Sequence, residues 1–218
     1  MGCKEVPTVL ALAETIDHVV LKNIRWSTYE ELLKDVGDRS IRLTYDRGTL
    51  EIMSPSHRHD WYARLIDRMI CVLTEEREVP IKSAGSTTWR SALQGRGLEA
   101  DDSYYVQNEP SVRGKADFDP DTDPFPDLAV EVEISRSVLD RLGIYAAIGI
   151  GEIWTFDGAN LRAMALVGEE YQPIETSRAF PFLEVADLSP WLHRAGQMDE
   201  TTWIRTFREW VRQTLCTR

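Results

Sequence analysis

Apolar and polar residues alternate most sharply in the stretch from Pro126 to Ser135. In an extended strand, one face of this stretch carries Leu128, Val130, Val132 and Ile134, and the other carries Asp127, Ala129, Glu131 and Glu133. Neighbours on one face of a strand lie about 6.6 Å apart, so Glu131 and Glu133 can approach a single cation. Asp127 is about 13 Å from Glu131 by the same rise, too far to share that ion. The pattern predicts either a metal-binding strand or an edge strand with a solvated acidic face.

The spacing of apolar residues elsewhere predicts helices on both sides of a mixed sheet. Alternation around the turn Asp46-Arg47-Gly48 predicts a β-hairpin, and the apolar repeat between Trp61 and Leu73 predicts a long helix. The predicted elements are, in chain order, a short helix over 27–35 capped by Ser27, a hairpin over 41–52, a helix from 54–56 to 77, strands over 81–89, 98–106 and 126–135, a helix from 139 to the glycines at 149–151, strands over 153–156 and 161–167, and a helix over 199–215. This order is typical of an α/β or α+β fold.

The chain length suits a single domain over residues 1–218. We expect a lead-in over 1–24, a core over 25–190 and a C-terminal helix over 199–215. The last helix carries an apolar stripe from Trp203 to Leu215, which predicts either core packing or a dimer contact.

Composition and charge narrow the possible functions. The net charge of −11 disfavours non-specific binding to nucleic acid, so a nucleic-acid site needs a local basic patch or bound cations. The three cysteines are scattered, which indicates neither a disulfide framework nor a metal-ligand spacing. We find no signal-peptide pattern and no run of about 18 apolar residues, and therefore expect a cytoplasmic protein without a membrane span.

Acidic residues stand at four points of the predicted elements: Asp60 on the long helix, Asp101 on the second predicted strand, and Glu131 with Glu133 on the third. If the two strands are neighbours, Asp101 and Glu131 meet at one end of the sheet. Convergent carboxylates suit Mg²⁺ or Mn²⁺, which bind through oxygen ligands, water and substrate phosphates. Such a cation lowers the pKa of bound water and neutralises charge on a phosphodiester.

Several stretches resemble a known family in their order and spacing. They are Met53-Ser54-Pro55-Ser56 followed by His59-Asp60, Gly97-Leu98-Glu99-Ala100-Asp101, Pro126-Asp127-Leu128-Ala129-Val130-Glu131-Val132, and Ile144-Tyr145-Ala146-Ala147 with Gly149, Glu152, Trp154 and Asp157-Gly158. Together they resemble the PD-(D/E)XK restriction-endonuclease-like superfamily and, within it, the Uma-two family of endonuclease-like proteins. The resemblance covers residues 25–190. It implies a central mixed sheet flanked by helices, with the hairpin and the final helix appended.

The resemblance also implies a role for each acid. Asp101 matches the Asp of the family's Pro-Asp, with Ala100 in place of the Pro. Glu131 matches the acid of the (D/E)XK strand, and Asp60 matches a helix acid that supports the metal through water. The expected Lys is replaced by Glu133, which cannot supply a positive charge but can bind metal or accept a proton from water. The implied metal ligands are therefore Asp101, Glu131 and Glu133.

Two basic residues are candidates to replace the missing Lys. Arg141 stands early on the following helix, where related proteins tend to place a Lys, and Lys82 stands on a preceding strand. An Arg keeps its charge and can stabilise a phosphate, but it is a poor proton shuttle. Each residue can instead be an ordinary surface charge. We expect His59 to support the metal ligands without binding the metal itself, as Asp60 and Lys82 would.

The sequence thus supports two hypotheses. The first is an endonuclease that uses Mg²⁺ or Mn²⁺ to hydrolyse DNA phosphodiester bonds, with Asp101, Glu131, Glu133 and Arg141 as its catalytic residues. The second is a catalytically inactive binding or regulatory module on the same fold, motivated by Glu133 and the acidic charge. A homodimer is expected in either case. A basic rim around an acidic pocket favours the enzyme; the candidates are Arg64, Arg68, Arg90, Arg136 and Arg141.

Overall fold

The computed structural model describes residues 18–37, 39, 41–119, 122–133 and 137–216, and these form a mixed α+β fold with two sheets. The strands are β1 (His18–Leu21), β2 (Arg42–Asp46), β3 (Thr49–Met53), β4 (Lys82–Ser83), β5 (Thr88–Ser91), β6 (Arg96–Glu99), β7 (Asp102–Tyr105), β8 (Leu128–Val132), β9 (Glu152–Phe156), β10 (Leu161–Val167) and β11 (Glu170–Ile174). The α-helices are α1 (Trp26–Val36), α2 (His57–Glu76), α3 (Glu109–Val112), α4 (Arg141–Ile148), α5 (Ser189–Arg194) and α6 (Glu200–Thr214).

The strands divide into a five-stranded first sheet, β1-β3-β2-β6-β5, and a six-stranded second sheet, β11-β10-β9-β8-β7-β4. In the second sheet β8 and β9 pair in parallel, while β7 and β8 pair antiparallel. A parallel pair needs a crossover connection, and α4 provides it. The expected central mixed sheet flanked by helices is therefore confirmed, and the N-terminal hairpin belongs to a separate sheet beside it.

The central strand β8 is buried on both faces, so the prediction of an edge strand with a solvated acidic face is wrong. Leu128, Val130 and Val132 pack into the core beneath α2, whereas Ala129 packs into the core beneath α4. Glu131 shares the face of Ala129 and is only 4% exposed. A buried carboxylate requires hydrogen bonds or cations around it, which makes its surroundings the natural place to look for a functional site.

The predictions of single strands over 81–89 and 98–106 are also wrong. The first stretch overlaps β4 and β5, the second overlaps β6 and β7, and in each case the two strands belong to different sheets. The chain passes between the sheets near Gly85, where φ is +60°, and again at Ala100 and Asp101. The N–H of Ala100 donates to the carbonyl of Thr87, so the two crossings lie side by side. Asp101 therefore stands where the two sheets meet.

Capping explains where the helices that border the site begin. The helix start predicted over 54–56 is confirmed: Ser56 caps α2, and its hydroxyl accepts from the backbone N–H of His59. Asp140 caps α4 by accepting from the N–H of Gly143 at 3.0 Å. The predicted cap of α1 at Ser27 is wrong, because the helix begins one residue earlier, at Trp26. Both α2 and α4 thus direct their first turns toward the crossing between the sheets.

The C-terminal helix packs on α2, and its apolar stripe is part of the core. Trp203, Phe207 and Val211 are fully buried there. Ion pairs of Arg208 and Arg212 with Glu76 border this contact. The predicted homodimer stays a prediction. No helix among residues 18–216 that the structure describes has the length and apolarity needed to cross a bilayer.

Candidate active site

Backbone pairing brings Asp101 beside Glu131. The N–H of Asp101 donates to the carbonyl of Val130 at 3.2 Å, and its Oδ2 accepts from the N–H of Val132 at 2.6 Å. These two valines flank Glu131 in β8, so the two predicted metal ligands lie on adjacent segments of chain. The Asp101 carboxylate is wholly buried, and it extends the hydrogen-bond ladder with β8 just before β7 begins.

Two basic side chains contact the Asp101 carboxylate. Nε2 of His59 lies 2.9 Å from Oδ2, and Nη1 of Arg42 contacts Oδ1. Burial first, and then the charge of Arg42, lower the pKa of His59 below its usual value. A neutral ring must carry its proton on Nε2 to donate to this carboxylate. Asp60 is largely exposed, and its Oδ1 lies 3.4 Å from Nδ1 of His59.

Glu131 is held by Arg141 and Tyr145 from α4. Nε of Arg141 is 3.1 Å from Oε2 and Nη2 is 2.6 Å from Oε1, while the Tyr145 hydroxyl also donates to Oε1. Nη1 of Arg141 donates to the Thr44 hydroxyl at 2.9 Å, and Nη2 donates to the carbonyl of Glu99 at 2.8 Å. Burial opposes the charge on Arg141, but the Glu131 carboxylate outweighs it and raises the pKa of the guanidinium.

Two further carboxylates surround this pair. Burial raises the pKa of Glu99, against the lowering effects of Arg42 and Arg141. Glu133 is exposed to solvent, yet desolvation by the adjacent protein and then the charge of Glu131 raise its pKa as well. We call Glu99, Asp101, Glu131, Glu133, Arg42 and Arg141 the carboxylate–arginine cluster. With every member ionised, four carboxylates face two guanidinium groups, and the cluster carries two negative charges in excess.

Two cavities open on the cluster, one on each side of Arg42. The first, of about 520 Å³, is lined by acidic residues that include Asp60, Asp101 and Asp102, and by Arg39 and Arg64. The second, of about 380 Å³, is lined by His59, Glu131, Glu133, Asp140 and Arg141, among others. Arg42 lines both cavities. The cluster is therefore reachable from solvent although its central carboxylates are buried.

Lys82 lies away from the cluster, whereas the rim candidate Arg64 lines the first cavity without contacting the cluster. Nζ of Lys82 donates to the carbonyls of Val112 and Lys115, and Lys82 lines a separate cavity of about 170 Å³. Among the rim candidates, Arg64 is exposed and pairs with Asp67 at 3.3 Å, and Arg68 pairs with Glu200 at 2.6 Å. Arg136 lies outside the described residues. Among the rim candidates that the structure describes, Arg141 is the one that pairs with a carboxylate of the cluster, that of Glu131.

Arg42 and Glu99 are the cluster members that sequence reasoning missed. Arg42 stands between Ile41 and Leu43 in an alternating strand, so it reads as the solvent side of a hairpin. The first sheet instead turns that face toward the second sheet, and Arg42 is only 7% exposed. The alternation of a strand shows which residues share its polar face. Whether that face is buried depends on the layer that packs against it, which the sequence does not show.

The fold and this cluster of carboxylates define a restriction-endonuclease-like protein. A family model, Uma2, described as "Putative restriction endonuclease", matches residues 26–196. The match spans most of the chain, and the protein therefore belongs to the Uma2 family. It confirms the resemblance noted from the sequence, and it ends before α6 begins. No curated protein matches the chain.

Proposed function

We propose that this protein is an endonuclease that hydrolyses DNA phosphodiester bonds with the help of Mg²⁺ or Mn²⁺. The observation that carries the proposal is the placement of Asp101 beside Glu131, both buried, at the meeting point of two sheets. Membership of the Uma2 family supports the same activity. One or two carboxylates, completed by water and phosphate oxygens, are the usual protein ligands of Mg²⁺.

The charge of the carboxylate–arginine cluster fits one divalent cation. Its excess of two negative charges equals the charge of Mg²⁺ or Mn²⁺. Among the residues that the structure describes, no three His, Cys, Asp or Glu side chains converge on one point. We therefore propose Asp101 and Glu131 as the protein ligands, with Glu133 assisting and with water and phosphate oxygens filling the rest of the shell.

The proposed ligands and their neighbours divide the work of hydrolysis. The cation, when bound, lowers the pKa of a water and neutralises charge on the phosphate. Glu133 faces the second cavity and accepts the proton that the attacking water loses. Arg141 orients Glu131, and His59 orients Asp101. Asp60 supports the site from the edge of the first cavity.

A metal titration tests the ligand assignment. We expect isothermal titration calorimetry to detect Mn²⁺ binding by the wild-type protein and a loss of at least about tenfold in affinity in Glu131→Ala, since each carboxylate ligand contributes directly. Arg212→Gln, which alters a surface ion pair on α6, is the matched control and should bind as the wild type does. Equally weak binding by wild type and Glu131→Ala would contradict the assignment.

One observation favours the alternative of a catalytically inactive binding module. Both oxygens of Glu131 are already engaged by Arg141, and Asp101 is engaged by Arg42 and His59. If these arginines take the place of a metal ion as the counter-charge of the two carboxylates, the protein keeps its fold but has no catalytic activity. Absence of Mn²⁺ binding and of DNA cleavage, together with an unchanged fold, would support this alternative. Sedimentation analysis would test the expected homodimer separately.

A further inference from the structure

Arg42 connects the two sheets through charge. It lies on β2 of the first sheet, and its Nη1 contacts Oδ1 of Asp101 at the crossing into the second sheet. Its Nε lies 3.8 Å from Oε1 of Glu99. Because Arg42 is 7% exposed, it is a largely desolvated cation that rests on two carboxylates.

The two arginines of the cluster are held in different ways. Arg141 donates to a neutral hydroxyl on Thr44 and a neutral carbonyl on Glu99, in addition to both oxygens of Glu131. Among the described residues, the side chain of Arg42 contacts Asp101 and Glu99, and both contacts are ion pairs. A cation that binds these carboxylates therefore competes directly with Arg42, whereas Arg141 keeps its neutral partners.

We propose that Arg42 is a displaceable internal counter-ion of Asp101. In the metal-free protein Arg42 neutralises the buried carboxylate of Asp101. When a divalent cation binds that carboxylate, it displaces Arg42. The inference rests on the metal-dependent function proposed above and adds a regulatory residue to it. It also explains how a buried aspartate that awaits a cation avoids the cost of an uncompensated charge.

The position of Arg42 between the two cavities gives its release a consequence. The freed guanidinium faces cavities of about 520 Å³ and 380 Å³, where a phosphodiester can bind. A guanidinium binds two phosphate oxygens at once, and it keeps its charge at every working pH. In this arrangement the phosphate binds the guanidinium of Arg42, and the metal binds the carboxylate of Asp101. Each should strengthen the binding of the other, because linkage between two ligands is reciprocal.

Mn²⁺ binding by Arg42→Gln tests the inference without relying on activity. The variant removes the competing charge, so we expect it to bind Mn²⁺ at least about tenfold more tightly than the wild type in calorimetry without DNA. Mn²⁺ should also raise its Tm more than that of the wild type, since only the variant leaves Asp101 without a counter-ion. Arg208→Gln is the matched control, because Arg208 lies on α6 and also pairs with two carboxylates, those of Glu75 and Glu76, away from Asp101. It should bind Mn²⁺ as the wild type does.

Arg42→Lys keeps the test open if Arg42→Gln does not fold. Lysine retains a positive charge but loses the planar fork, so Mn²⁺ affinity should lie between those of wild type and Arg42→Gln. Affinity equal to or below that of the wild type, in whichever of the two variants folds, would overturn the inference.

The outcomes separate this inference from the proposed nuclease. The wild-type protein could bind Mn²⁺ and cleave DNA while Arg42→Gln shows no gain in Mn²⁺ affinity. That result supports the proposed nuclease activity and contradicts the counter-ion role of Arg42. Tighter Mn²⁺ binding by Arg42→Gln, with no cleavage by any variant, keeps the counter-ion and rejects the nuclease. No Mn²⁺ binding by any variant rejects both.

Discussion

Glu131 on β8 and Arg141 at the start of α4 form a two-point ion pair, with Nε 3.1 Å from Oε2 and Nη2 2.6 Å from Oε1. The same guanidinium donates to Thr44 on the first sheet. The Arg141 side chain therefore joins its own helix, α4, to the central strand β8 and to the first sheet. This makes the pair a structural joint of the fold as well as part of the candidate site.

Removing Arg141 should destabilise the protein strongly. Arg141→Met keeps much of the apolar stem but leaves Glu131 buried without its cation, which typically costs about 3–5 kcal/mol. Urea denaturation followed by circular dichroism measures this loss in the free energy of unfolding. The double variant Glu131→Gln with Arg141→Met removes both charges and should recover a large part of the loss. A single-variant cost below about 1 kcal/mol would indicate that the pair behaves as an exposed ion pair does.

A second carboxyl pair lies beside the site and should make stability depend on pH. The Tyr104 hydroxyl lies 2.7 Å from Oδ2 of Asp102 and 2.9 Å from Oδ1 of Asp67. One hydroxyl hydrogen can be donated fully to only one of them. Burial, opposed in part by the hydrogen bond from Tyr104, raises the pKa of Asp102 to about 6.

The sign of this effect follows from proton linkage. The folded protein binds a proton on Asp102 more tightly than the unfolded chain, so the associated stability is present in acid and is lost as pH rises through about 6. The free energy of unfolding of wild type, measured relative to Asp102→Asn, should fall by up to about 3 kcal/mol between pH 4 and pH 7. Urea denaturation across this range measures it. A difference that does not change with pH would show that Asp102 titrates normally.

The sequence predicted the alternation of β8 and the helices around it because both depend on local spacing. The repeat from Trp61 to Leu73 and the helix start over 54–56 predict α2 without reference to the rest of the chain. The crossings near Gly85 and Asp101 were missed, because an extended segment looks the same whether it continues in one sheet or enters another.

The sequence predicted the acidic residues of the candidate site but not the arginine that pairs with Asp101. The sequence predicted that Asp101 and Glu131 lie close together, from their places on two strands taken as neighbours and from the family resemblance. Arg42 was not predicted, since its role depends on a contact between residues 59 positions apart in the chain. The contact of Arg141 with Thr44 joins residues still further apart, 97 positions along the chain. Partners of this kind appear only when the layers are packed together.

The C-terminal helix should contribute to stability through its apolar stripe rather than its surface charges. Trp203 is fully buried against α2, and its indole N–H donates to the carbonyl of Trp191 at 2.8 Å. Trp203→Ala should cost about 3–5 kcal/mol of unfolding free energy, because it leaves a large cavity. Arg212→Ala, on the same helix but 60% exposed in its side chain, should cost less than about 1 kcal/mol. Thermal and urea denaturation compare the two variants, and similar costs would contradict this assignment.

The most direct test of the central claim is cleavage of supercoiled plasmid DNA in the presence of Mg²⁺ or Mn²⁺. The wild-type protein is compared with Asp101→Asn, which keeps the shape of the side chain but loses its charge, and with the surface control Arg212→Gln. We predict metal-dependent nicking by the wild type and by Arg212→Gln, abolished by EDTA and reduced at least about a hundredfold in Asp101→Asn, as expected when charge stabilisation at the phosphate is lost. Equal cleavage by the wild type and Asp101→Asn, or no cleavage by folded wild-type protein with metal, would contradict the account.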